Sequence, residues 1–134
     1  MITCDTSVLV AAFARWHADH RAAAAAVRRV EAVVDHVAVE TFSVLTRLPQ
    51  PRRVPPHLVT AFLDGHFPDS VPRLPSAPSP DVLDIAVRGG VSGGAVYDLV
   101  VALSAHRGGA VLLSLDRRAA GTYEAVGVAY ELLA

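Results

Sequence analysis

The chain has 134 residues, 52% of them hydrophobic and 19% charged, with a formal net charge of -1. That length fits one domain with a substantial core and argues against disorder, and the near-neutral balance excludes a global basic field for polyanions. All twelve basic residues are arginine, which excludes chemistry that needs lysine, such as a Walker A loop or a Schiff base. Met1–Cys4 reads as a first strand ending at Asp5, and Thr6 or Ser7 can cap a helix running through Phe13. A second, alanine- and arginine-rich helix is expected over Ala18–Val33, then a short strand over Val34–Val37. Val39–Leu48 carries apolar residues at helical spacing and stops at Pro49 and Pro51. Pro55 and Pro56 open a further helix to about Gly65. Ser70–Leu74 is a third strand candidate, with Pro72 in it.

Ser79 caps the next helix, which runs to about Arg88 with Pro80 and Asp81 in its first turn. Glycines at 89, 90, 93 and 94 form a turn. Ala95–His106 reads as an apolar helix ended by Gly108 and Gly109. Ala110–Leu115 is the clearest strand and ends at Asp116. A helix over Arg117–Ala125 ends at Gly127, and Val128–Leu132 is a last strand. Strands alternating with helices predict an α/β domain spanning residues 1–134, with a mainly parallel central sheet of about five strands and helices on both faces.

One cysteine, Cys4, permits no intrachain disulfide, which fits a reducing compartment. The N-terminus has no basic n-region, and no apolar run approaches the ~20 residues of a membrane span. A cytoplasmic protein with no membrane association is expected.

Two aspartates occupy one kind of place. Asp5 and Asp116 each end an apolar strand, and ligands of parallel sheets bind outside the carboxyl ends of the strands. Either residue also suits a plain helix cap. Asp98 lies in an otherwise apolar helical stretch, where a carboxylate is costly unless it pairs with an arginine such as Arg47 or binds a cation. Glu40 begins the helix after the second strand. Four such acids at one sheet edge repel one another, and hard divalent cations relieve that repulsion, positioning and activating a water for phosphodiester hydrolysis.

The segments around these acids resemble a family. Asp5-Thr6-Ser7-Val8-Leu9-Val10, the stretch from Val39-Glu40-Thr41 to Arg47, Tyr97-Asp98-Leu99-Val100-Val101-Ala102, and Ser114-Leu115-Asp116-Arg117-Arg118 are similar, in order and spacing, to the four acidic motifs of PIN domains. Length and single-domain form most resemble the VapC toxins of toxin–antitoxin pairs. The resemblance departs at Leu99, where alanine is frequent, and in the glycine-rich 89–94 stretch. It implies a Mg²⁺- or Mn²⁺-dependent endoribonuclease, a homodimer, and a small VapB-like antitoxin as partner. It also implies that Asp5, Glu40, Asp98 and Asp116 share the catalytic site, with Asp5, Asp98 and Asp116 on the metal and Thr6, Ser7 and Ser114 in support.

Arg117 and Arg118 adjoin that site and are the preferred phosphate contacts, ahead of Arg52 and Arg53. Trp16 and Phe67 suit either base stacking or packing. His17 and His20 read as solvated residues near a helix start rather than a zinc pair, and Cys4 as a core residue. Two other readings stay open: a PIN-type RNA-processing nuclease without an antitoxin, and a catalytically silent RNA- or protein-binding PIN-like module. A receiver domain lacks its lysine here, and a haloacid-type phosphatase lacks a second aspartate at Ser7.

Overall fold

The computed structural model describes residues 1–133. In chain order the elements are β1 (Ile2–Cys4), α1 (Thr6–Phe13), α2 (His20–Val27), β2 (Val33–Val34), α3 (Asp35–Thr46), α4 (Pro56–His66) and β3 (Arg73–Leu74). There follow α5 (Ser79–Gly89), α6 (Ala95–Arg107), β4 (Val111–Ser114), a 3-10 turn (Arg117–Ala119), α7 (Ala120–Val126) and β5 (Tyr130–Leu132).

All strand pairs are parallel, as crossovers through helices require. β4 is central, pairing Thr3 with Leu112 on one side and Leu112 with Tyr130 on the other. Leu112 and Leu113 point to opposite faces of the sheet and are both fully buried, so both faces are covered.

The five expected strands form two hydrogen-bonded sets rather than one sheet: β1-β4-β5, and β2-β3 beside it. The reason lies at Ile2. Its carbonyl accepts from both Glu31 N (2.8 Å) and Ala32 N (3.3 Å), and Thr3 Oγ1 donates to the Ala32 carbonyl at 2.7 Å. β2 is thereby tied to β1, but the chain turns into α3 after Val34 before a ladder can develop.

The same bonds correct the helix boundaries. They pull residues 31–34 into extended chain, so the helix expected to reach Val33 ends at Val27, and the strand expected at Val34–Val37 ends at Val34. α3 then begins at Asp35, which puts Glu40 in its second turn rather than at its start. Asp5, not Thr6 or Ser7, caps α1, its side chain accepting from Val8 N. Pro78 occupies the capping position of α5, making Ser79 its first helical residue.

The main core joins the sheet to α1, α2, α3 and α6, with Leu9, Val37, Val101 and Leu113 among its buried members. Each such side chain contributes roughly 1.5–3 kcal/mol. α6 also packs Leu99 and Leu103 on Val82 and Ala86 of α5. It is thus wedged between two clusters, which holds its N-terminal turn against the carboxyl ends of β1 and β4.

Candidate active site

Because β1 and β4 are parallel neighbours, the residues that follow them leave the sheet side by side. Asp5 N donates to the Leu113 carbonyl at 3.0 Å, and Asp116 N donates to Ser114 Oγ at 3.0 Å. α3 and α6 bring Glu40 and Asp98 to the same edge. All four acids line one cleft of about 450 Å³, together with Thr6, Ser7 and Tyr123. Val10, Val44, Val101 and Leu115 supply its apolar walls.

Asp5 is buried and heavily bonded. Ser7 Oγ and Val8 N donate to Oδ1, and Tyr123 Oη donates to Oδ2 at 2.7 Å. Ser7 Oγ in turn accepts from Leu115 N at 2.9 Å. The hydroxyl therefore couples the helix after β1 to the chain after β4. Burial pushes the Asp5 carboxyl up, against the lowering effect of Ser114, Ser7, Tyr123 and Val8. Burial and the Asp5 charge push the Tyr123 phenol up as well, so it stays a donor. Asp5 is both a helix cap and a wall of the cleft. Asp116 is likewise both, accepting from Arg118 N at 3.0 Å to cap the 3-10 turn.

Asp98 sits in the first turn of α6. Arg47 does not pair with it. Burial first, and then the charges of Asp116, Glu40 and Asp5, push its carboxyl up to about 6, with Arg118 acting in the opposite sense. Glu40 behaves differently. His36, one turn earlier, lies 3.3 Å from Glu40 Oε2 and holds the carboxyl below its ordinary value; burial opposes this, while Thr6 and Arg47 add to it. An electronegative cleft thus contains one acid kept ionised beside one that resists ionisation.

Thr6 Oγ1 is buried and has no hydrogen-bond partner among the described residues, although it lies close enough to favour ionised Glu40. An orphaned hydroxyl among oxygen-only donors suits a hard cation or its water shell. Among the described residues no three acidic, imidazole or thiol side chains are disposed to hold one ion by themselves.

The other expected residues separate. Ser114 is fully buried beneath the site. Arg118 lines the cleft with a side chain 96% exposed, 3.6 Å from Asp116 Oδ1, whereas Arg117 is exposed outside the lining. Arg52 lies over the Trp16 ring at 4.0 Å, and Arg53 Nε donates to the Leu48 carbonyl. Phe67 and Cys4 are buried in the core. Burial and Asp5 push the Cys4 thiol up, leaving it unreactive.

Of the two histidines expected as solvated, His17 instead lines the cleft beside Asp19, whose N donates to His17 Nδ1 at 3.0 Å, while His20 Nδ1 lies 2.9 Å from the Ala11 carbonyl oxygen. The turn from Ala14 to His20 folds His17 and Asp19 inward. Tyr123 and His36 have no counterpart among the expected site residues. Tyr123 sits in a helix, where a tyrosine reads as core. The spacing of His36 four residues before Glu40 was the available signal for the second.

Residues 2–125 match the PIN domain. Ribonuclease VapC40 of Mycobacterium tuberculosis (strain ATCC 25618 / H37Rv) is 44% identical over 133 residues, 99% of each chain. Ribonuclease VapC27 of the same strain is 38% identical over 129 residues, 95% of this chain and 93% of that one. The chain belongs to the PIN-domain family, and within it to the VapC group. Among solved structures, PAE2754 from Pyrobaculum aerophilum superposes with a TM-score of 0.63 over 96% of this chain and 89% of that chain, at 22% identity. That likeness concerns the fold.

Proposed function

We propose that residues 1–134 form one metal-dependent endoribonuclease, the toxin of a type II toxin–antitoxin pair. The observation that carries this is the convergence of Asp5, Glu40, Asp98 and Asp116 on one cleft, with Asp98 pushed up to about 6 by burial and then by the neighbouring acids. Asp5, Asp98 and Asp116 would hold Mg²⁺ or Mn²⁺. When bound, such an ion polarises the scissile phosphate and acidifies a water.

The chain's own residues do the rest. Ser7 and Val8 hold one carboxylate oxygen of Asp5 and Tyr123 the other, which fixes the orientation of the carboxylate in the cleft wall. Glu40, held ionised by His36, can orient an attacking water by accepting its hydrogen bond, while its lowered basicity makes it a weak proton acceptor. Ser114 orients the backbone that carries Asp116. Arg118, at the rim, supplies a cation for the RNA backbone. The names of the relatives, both VapC ribonucleases, support RNA as substrate and a small VapB-like antitoxin as partner; a homodimer in a cytoplasmic setting completes the proposal. No helix among the described residues is long and apolar enough to cross a membrane.

The deciding experiment is a metal-titrated RNA cleavage assay on the wild type and Asp98→Asn, with and without the antitoxin. Cleavage that needs Mg²⁺ or Mn²⁺, falls by at least ~100-fold in the variant and is silenced by the antitoxin is expected. A folded Asp5→Asn or Asp98→Asn protein that cuts at the wild-type rate overturns the site assignment.

A further inference from the structure

Beyond Glu40 the cleft opens into a second groove of about 270 Å³, lined by His36, Val39, Glu40, Ser43, Arg47 and Tyr97. Glu40 belongs to both cavities, so the groove continues the acid cleft. Its character differs. Tyr97 is 55% exposed and Val39 70% exposed, an uncommon degree for such side chains beside a polar site. The Tyr97 ring lies nearly parallel to that of His36, at 10° with centroids 5.5 Å apart. His36 is itself tied to Glu40. The stack is therefore anchored at its inner end to the cleft. On the far side, exposed Arg47 donates from Nη1 to Ser43 Oγ at 3.2 Å, and its charge is felt at Glu40.

We propose that this groove is a nucleobase subsite, in which an unpaired RNA base next to the scissile phosphate stacks on Tyr97 while Arg47 meets the adjoining phosphate. The inference rests on the nuclease reading above and adds to it a place for the substrate's base. An exposed aromatic face accepts any base, and guanidinium groups suit phosphate oxygens. The volume admits one ring system but falls short of the ~300–1,000 Å³ usual for larger ligands. A protein helix or a second copy of the chain would call for a broader apolar surface than one valine and one tyrosine.

The test uses single-stranded oligoribonucleotides carrying one 2-aminopurine, stepped along the sequence. Stacking quenches this base, and stopped-flow fluorescence with Mg²⁺ reads it before turnover. Quenching at one position is expected with the wild type and with Tyr97→Phe, and its loss with Tyr97→Ala. In steady state Tyr97→Ala should raise KM by about 5- to 100-fold and leave kcat nearly unchanged. Wild-type protein given an abasic nucleotide at that position should show the same rise, independently of any variant.

Equal quenching by Tyr97→Ala, no quenched position, or a wild-type KM for abasic RNA overturns the proposal. So does a Tyr97→Ala protein whose oligomeric state or antitoxin binding changes while KM does not, since the groove would then be a protein contact. If RNA is cleaved without Tyr97-dependent quenching, the subsite falls and the nuclease stands. Tyr97-dependent quenching without any metal-dependent cleavage leaves the subsite and removes the nuclease reading.

Discussion

Asp98 stands in the first turn of α6, where the helix dipole favours a negative charge, yet its carboxyl is pushed up to about 6 from an ordinary 3.8. Burial and the three neighbouring acids outweigh the dipole, which supplies typically ~0.3–1 kcal/mol. The folded protein therefore holds more protons than the unfolded chain between the two values, and metal-free stability falls as pH rises through that window. Glu40 has the opposite sign: its carboxyl is held low, so its contribution persists above the ordinary value and is lost only at lower pH. At pH 7 in chelator, Asp98→Asn should raise the melting temperature by removing a repelled charge. Solvent screening at this half-buried site limits the gain to ~1 kcal/mol. Melting curves from pH 4 to 7 with and without Mg²⁺ check this. A wild type that gains stability across that range without metal contradicts it.

At the scale of elements, two glycines hold the site's supports for different reasons. Gly127 ends α7, the helix carrying Tyr123, with φ of 85° and open space around the position of a Cβ. Gly108 follows α6 with ordinary φ, but a Cβ there would lie 2.9 Å from both methyls of Leu74 on β3. Gly127→Ala should cost about 1–2 kcal/mol through backbone strain alone. Gly108→Ala should cost a similar ~1–3 kcal/mol through overpacking, and that cost should shrink when measured in a Leu74→Ala background. Denaturant titrations of each glycine variant, of Leu74→Ala, and of each glycine variant combined with Leu74→Ala separate the mechanisms. A smaller cost of Gly127→Ala in the Leu74→Ala background would contradict the distinction.

Elements with strong local signals were readable in advance. β4 is apolar and ends at a polar residue, and α6 is framed by glycines, so Asp116 and Asp98 could be placed. The end of α2 was not readable, because what stops it is the distant Ile2 carbonyl drawing residues 31 and 32 into extended chain. The division of the sheet follows from the same bonds. Tyr123 escaped because only the tertiary fold shows that its hydroxyl reaches Asp5, 118 positions away. His17 escaped because a turn, not a periodic element, aims it at the cleft.

For the molecule as a whole, a net charge of -1 and a cleft walled by acids leave polyanion binding to a few local cations. Arg118 is the cation on the cleft lining, fully extended into solvent and only loosely held by Asp116 at 3.6 Å. Its removal acts in two ways. It takes away a phosphate contact, and it removes the charge that partly offsets the repulsion on Asp98. Arg118→Ala should therefore weaken RNA binding several-fold near 0.1 M salt and flatten the plot of log affinity against log salt by about 0.7, the value for one contact to a single strand. Binding isotherms on a short single-stranded RNA between 50 and 300 mM salt provide the measurement. With so few cations the wild-type slope itself should be shallow, equivalent to only a few phosphates. A steep wild-type slope, or one unchanged in Arg118→Ala, would mean that RNA crosses a different face of the protein and reaches the acids from elsewhere.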